Sequence, residues 1–266
     1  MIGIFDSGTG GLSVLREIVR LLPDEKYVYF SDNAHCPYGD KTPEYIRDRC
    51  RHITRTLLDK GADILVMACN TATAAAIRTL REEFPVRFIG MEPAVKPAVL
   101  GTRTGVIGVL ATAGTLKGSK YLTTKGNYED GCTIVEHVGQ GFVELVEAGI
   151  LTGPEAEAVA ERSLRPLLDQ GADTIVLGCT HYPFLLGTLQ KIAGPGIRFI
   201  DPAPAVARQL VRVMREEGLL DGAGTDGTGT EKAGRPSGTP DIELISSGDP
   251  LPLRRMAGTL WPKNQS

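Results

Sequence analysis

The sequence predicts an α/β protein built from two pseudo-symmetric parallel-sheet domains that face each other across a cleft. Two observations carry this reading. Short β-branched runs alternate with helical stretches along the chain, the pattern of parallel strands joined by crossover helices. The chain also repeats itself. Residues 61–69 read GADILVMAC and residues 171–179 read GADTIVLGC; residues 87–95 read RFIGMEPAV and residues 198–206 read RFIDPAPAV. A weaker echo links GIFDSGTGG, from residue 3, to GVLATAGT, from residue 108. One repeat at so long an interval marks a duplicated domain and not a solenoid.

Taken in order, MIGIF reads as the first strand and is too short before Asp6 to serve as a secretion signal. Further strands are expected at Tyr27–Ser31, Asp63–Met67, Thr104–Val109, Cys132–Glu136, Thr174–Leu177 and Ile197–Ile200. Helical stretches between them include Gly10–Leu22, Pro43–Lys60, Glu155–Gln170 and Pro204–Glu217. Asp221–Pro240 is rich in Gly and Thr, has no large apolar residue, and reads as a flexible loop. Ile242–Ile245 and Pro250–Ala257 read as a last strand and helix that return to the first half. The expected division is 1–94 plus 205–266 for one domain and 95–204 for the other.

Composition narrows the function. The 266 residues are 42% hydrophobic, enough for a substantial core. The net charge is −3 with no basic stripe, which argues against nucleic acid as a partner. No apolar run is long enough to span a bilayer, so no membrane partner is expected and a cytoplasmic location is. Five cysteines, an odd number without a CxxC pair, point to reduced thiols and against both a disulfide framework and a structural zinc site.

The chemistry converges on strand ends. In open α/β sheets, ligands bind at the carboxyl ends of strands. Cys69, followed by Asn70 and Thr71, and Cys179, followed by Thr180 and His181, close the two copies of the repeat. A single thiol of this kind reads as a small buried hydrophobe. Two at equivalent places in two halves read as a pair on opposite walls of one site. A thiolate is a competent base and a thiol a competent acid near neutral pH. Cys36, Cys50 and Cys132 lack repeat partners and read as structural; His35, His52 and His137 read as ordinary surface or core histidines.

Other segments carry two readings each. Asp6–Gly11 is either a tight strand-to-helix turn or a cradle of free N–H groups for a carboxylate. It lacks the Walker lysine and the dinucleotide glycine spacing. Tyr38 and Gly39 lie in a shaped loop that either connects a strand to a helix or lines a ligand. Thr112–Thr115 offers a second donor turn. His181 could orient Cys179 or, as Cys-x-His, contribute to a metal; with two ligands only, no metal site is expected. Glu147 is either a solvated helix carboxylate or an acceptor facing the cleft.

At this point the motifs resemble a known family, the glutamate racemases of bacterial cell-wall synthesis. The residues that carry the resemblance are FDSGTGGLSVL near the start, PYGDKT at 37–42, ACNTATA at 68–74, GVLATAGTLKGSKY from residue 108, and LGCTHYPFL at 177–185. They span the chain to about Ala207. The resemblance implies two α/β domains with glutamate between them, no pyridoxal phosphate or other cofactor, and Cys69 and Cys179 as the acid and base. It implies substrate contacts from Asp6, Ser7, Tyr38, Gly39, Asn70, Thr71, Thr180 and His181, with Asp6 and His181 also supporting the adjacent thiols. It departs at Gly139-Gln140, where many members have Cys-Pro. Interconversion of L- and D-glutamate for peptidoglycan is the expected activity, and a homodimer the expected assembly. The alternatives are a racemase for aspartate or another small acid, a cysteine hydrolase, which needs one nucleophile with a His base, and an inactive amino-acid binding module.

Overall fold

A computed structural model describes residues 1–220 and 240–261. The Gly- and Thr-rich segment read from the sequence as a flexible loop lies outside the described residues but for Pro240. The first half starts with strand β1 (Ile2–Asp6), followed by helix α1 (Leu12–Leu21), β2 (Lys26–Ser31), α2 (Pro43–Asp59), β3 (Ile64–Met67), α3 (Asn70–Glu83) and β4 (Arg87–Gly90). The short helix α4 (Val95–Val99) leads to β5 (Val106–Ala111), α5 (Ala113–Leu116), α6 (Ser119–Gly126), β6 (Thr133–Val138), α7 (Phe142–Ala148), α8 (Pro154–Leu168), β7 (Thr174–Gly178), α9 (Leu186–Ala193) and β8 (Arg198–Ile200). Helix α10 (Ala203–Glu216), β9 (Asp241–Ser246) and α11 (Leu251–Leu260) follow.

The strands form two sheets, in the orders β4-β3-β1-β2-β9 and β6-β5-β7-β8. Every pairing is parallel. The repeat is therefore structural: β3 and β4 sit beside β1 as β7 and β8 sit beside β5, and the echo between the segments at residues 3 and 108 falls on the two central strands. β9 pairs with β2 over Lys26↔Asp241 to Ser31↔Ser246, so the last strand joins the first sheet. α10 packs on α1, and its apolar positions Val206, Leu210, Val211 and Met214 are buried.

The elements follow from local chemistry. β1, β3 and β7 are buried on both faces, as parallel strands covered by helices must be, which is why they read as unbroken apolar runs. Gly61 and Gly171, the first residues of the two repeat copies, both have positive φ (87° and 84°), which a side chain would strain. Thr42 caps α2 by accepting the Tyr45 N–H at 3.3 Å, with Pro43 at the first helical position. Helix α3 was not among the stretches picked out above. Its run of Ala and Thr has weak apolar periodicity, and it starts because the Cys69 sulfur caps it, accepting the Ala72 N–H at 3.5 Å.

Asp173, the acid of the second repeat copy, pins the chain entering β5. Its carboxylate accepts from Thr102 Oγ1 at 2.6 Å and from the N–H groups of Arg103 at 2.6 Å and Thr104 at 3.1 Å. Burial alone would raise its pKa, but these bonds outweigh that and hold it at about 2. A folded value below the unfolded one, about 3.9, stabilises the fold above that pH; the contribution disappears as pH falls through about 2. Asp173→Asn is expected to cost about 1–2 kcal/mol at neutral pH and to flatten the acid limb. Urea midpoints measured between about pH 5 and 2 check this; a wild-type decline no steeper than the variant's overturns it.

Candidate active site

The carboxyl ends of the two central strands and of their repeat neighbours meet at one seam. Asp6 ends β1 and Cys69 follows β3; Thr112 follows β5 and Cys179 follows β7. Both thiols are buried, and all five cysteines are free.

Each thiol has its own proton partner. On the first half, Cys69 Sγ lies 3.8 Å from Ser7 Oγ, with the Asp6 carboxylate close enough to act on its charge. Burial, then the Asp6 charge, pushes the Cys69 pKa well up, so this side rests as a neutral thiol. Burial also raises Asp6, despite the nearby His181 and the Gly11 N–H. On the second half, Cys179 Sγ lies 3.8 Å from His181 Nδ1, and His181 Nε2 lies 2.7 Å from Glu147 Oε1. Burial would lower His181, but hydrogen bonding to Cys179, Cys36 and Glu147 wins and raises it well above the ordinary value. An imidazolium then donates from both ring nitrogens. The two thiols thus have opposite companions, a carboxylate beside Cys69 and an imidazolium beside Cys179.

The turn Asp6–Gly11 does not present a free cradle. Asp6 Oδ2 accepts from Gly8 N (3.2 Å) and Gly11 N (2.9 Å), and Glu147 Oε1 accepts from Thr9 N (2.6 Å) and Thr9 Oγ1 (3.1 Å). Three of its N–H groups therefore bind carboxylates of the protein itself. Its glycines are needed for close approach. A Cβ on Gly10 would lie 2.3 Å from His181 Nδ1, and one on Gly8 would lie 2.1 Å from Glu147 Oε1.

The remaining predicted residues gather along the same seam. Thr180 Oγ1 reaches Asp6 Oδ1 at 3.4 Å, and its carbonyl accepts from Ser13 Oγ at 2.9 Å. Thr71 Oγ1 lies 2.8 Å from Thr112 Oγ1 and 3.4 Å from Thr115 Oγ1, joining the two halves. Gly39 abuts Thr112, whose Cβ lies 3.3 Å from where a Gly39 Cβ would be. Asn70 Nδ2 is buried and has no hydrogen-bond partner among the described residues, so a polar donor is left to a ligand. The Tyr38 side chain is committed elsewhere: its hydroxyl donates to Asp32, which Arg49 holds in a two-pronged ion pair at 2.9 and 2.7 Å. Tyr38 therefore positions the loop, and Gly39 is what meets the second half.

The fold gives two residues neighbours that the sequence did not assign them. Cys36, read as structural, sits beside His181 and Glu147, with its sulfur and their ligand atoms within 4.8 Å of one another. Glu147, left between two readings, faces the seam; the Thr9 and His181 bonds drop its pKa below the usual value despite burial. No sequence signal marked Cys36, which falls outside the repeat.

Comparison with known proteins agrees with this geometry. The family model for Asp/Glu/Hydantoin racemase matches residues 2–210. A glutamate racemase from Stutzerimonas stutzeri is 46% identical over 264 residues, covering 99% of this chain and 94% of that protein. One from Pseudomonas aeruginosa is 51% identical over 220 residues, covering 82% and 83%. Among solved structures, Escherichia coli glutamate racemase in complex with L-glutamate and the activator UDP-MurNAc-Ala superposes with TM-score 0.82 at 31% identity, covering 98% of this chain and 94% of that one. The Thermus thermophilus glutamate racemase in complex with β-chloro-D-alanine gives 0.75 at 35% identity, covering 97% and 92%.

Proposed function

The chain belongs to the Asp/Glu/Hydantoin racemase family, and from that premise we propose that it interconverts L- and D-glutamate by proton transfer at Cα between two cysteines. The observation that carries the mechanism is the pair of buried thiols at equivalent strand ends, each with its own proton partner. Inversion needs a base on one face of the carbon and an acid on the other. One of Cys69 and Cys179, as thiolate, removes the α-proton; the other, as thiol, protonates the opposite face of the carbanion-like state. Asp6 relays protons to Cys69, and His181, oriented by Glu147, does so for Cys179.

The α-proton is weakly acidic, so the charge that develops on the substrate carboxylate must be held. The Asn70 amide is the free donor for it, with Ser7, Thr71 and Thr180 beside the same seam and Gly39 allowing close backbone approach; Tyr38 acts by holding that loop. Burial of both thiols excludes water from the reacting carbon. The proposal includes the domain division 1–94 plus 205–266 and 95–204, a homodimeric cytoplasmic enzyme, and D-glutamate delivered to peptidoglycan. Among the described residues no helix is long and apolar enough to cross a membrane.

The test is solvent isotope exchange. In deuterium oxide, either enantiomer of glutamate is expected to yield product labelled at Cα, with little label in recovered substrate during early turnover. Racemisation without solvent label, or label entering substrate and product equally in the first turnovers, would overturn the two-base reading. A hydrolase would instead leave a thioester on one cysteine.

A further inference from the structure

Cys36, Glu147 and His181 lie in three different segments. Cys36 follows β2 in the first half, Glu147 is on α7, and His181 follows β7 in the second half. Cys36 Sγ and the nearest ligand atoms of Glu147 and His181 all lie within 4.8 Å of one another, and His181 Nε2 and Glu147 Oε1 are already 2.7 Å apart. The racemisation uses no proton of Cys36.

We propose that this trio is a binding site for a thiophilic divalent cation such as Zn2+, and that occupying it arrests the enzyme by cross-linking its two halves. A sulfur, an imidazole nitrogen and a carboxylate oxygen form a donor set suited to zinc or cobalt and poorly suited to magnesium or calcium. Zinc–ligand distances of about 2.0–2.3 Å place tetrahedral ligand atoms about 3.3–3.8 Å apart, so the three atoms reach the metal by sub-ångström to ångström shifts. The Glu147–His181 hydrogen bond opens to admit the ion, and the Cys36 proton and the His181 Nε2 proton both leave to solvent as the thiolate and the ring nitrogen bind. His181 coordinates through Nε2 and keeps Nδ1 toward Cys179, but a metal-bound ring has lost the capacity to pass its second proton. The Cys36 bond also ties the loop after β2 to α7 and to the end of β7. A part-exposed Cys36 and Glu147 give the ion a way in.

Metal binding stands on the geometry alone, while its inhibitory consequence rests on the racemase reading. The experiment separates the two. Co2+ titrated into the full-length protein is expected to give thiolate-to-cobalt charge-transfer absorption, and Zn2+ to raise the melting temperature. Cys36→Ser is expected to lose both while keeping racemisation. In the activity assay, micromolar Zn2+ is expected to slow the wild type by at least about tenfold, reversibly with a chelator, and Cys36→Ser by far less. Charge-transfer absorption undiminished in Cys36→Ser would place the ion on Cys69 or Cys179 and overturn the site. Binding that depends on Cys36 without inhibition would overturn the arrest and keep the site. If Cys36→Ser proves unstable, Glu147→Gln serves in the cobalt titration, where loss of tight binding is expected.

Discussion

Replacing either Cys69 or Cys179 by serine is expected to lower racemisation at least about 10^3-fold with each enantiomer of glutamate as substrate. A serine hydroxyl in the same buried place is too weak an acid to stand as a base at neutral pH, and neither half holds a second thiol on its strand end. Removing an acid or base of this kind costs up to about 10^4-fold, and here the deleted group serves both directions of one reversible step. The two variants should not be equivalent in partial reactions. Each retains one working thiol, so each should exchange the α-proton of one enantiomer with solvent and leave the other untouched. The assay is proton NMR of the Cα signal in deuterium oxide with each enantiomer in turn. Near-wild-type racemisation in either variant would remove the two-base mechanism, and exchange of both enantiomers by one variant would remove the one-thiol-per-face assignment.

Gly10→Ala is the second large effect expected, and it is a test of the seam. The new methyl would sit 2.3 Å from His181 Nδ1, 2.6 Å from Cε1 and 2.7 Å from Cγ. The ring cannot step aside cheaply, because His181 is 1% exposed and its far nitrogen is held by Glu147 at 2.7 Å. Either the ring moves away from Cys179 or the turn moves away from the second half. A misplacement of about 1 Å at a reacting centre costs about 10^2-fold, which is the loss expected in kcat. Gly187→Ala, in α9 where nothing lies within 4 Å of the added atom, is the control and should leave activity unchanged. A Gly10→Ala enzyme within about threefold of wild type would mean that the seam is looser than its distances imply.

The duplicated strands were legible because parallel strands buried on both faces must be apolar throughout, and two copies of one such strand ended in Cys69 and Cys179. The helix after Cys69 was harder to read, since Ala72, Ala74, Ala75 and Ala76 carry little periodic contrast. Residues whose role depends on the opposite half were the least legible. Glu147 bonds to Thr9, 138 positions away in the chain, and Cys36 lies beside neighbours on two other segments. Nothing local distinguishes such a carboxylate or thiol from a solvated or structural one. The glycine-rich turn shows the same limit from the other side. Its N–H groups do bind carboxylates, as its composition suggests, but those of Asp6 and Glu147. Tyr38 was expected to contact the substrate, and its hydroxyl faces Asp32 instead.

The pairing of β9 with β2 also sets an order of assembly. Strands β5 to β8 come from one uninterrupted stretch of chain, so every ladder of the second sheet can close once residue 200 has been made. The first sheet begins earlier in the chain, with β1, yet completes its edge only with Asp241–Ser246, and α1 waits for α10 to cover it. Domains generally fold as units as the chain emerges during synthesis. In this protein the sheet whose strands come earlier in the chain is the last to be finished. Until then β2 carries an open edge and α1 an uncovered apolar face, the features that make nascent chains associate wrongly.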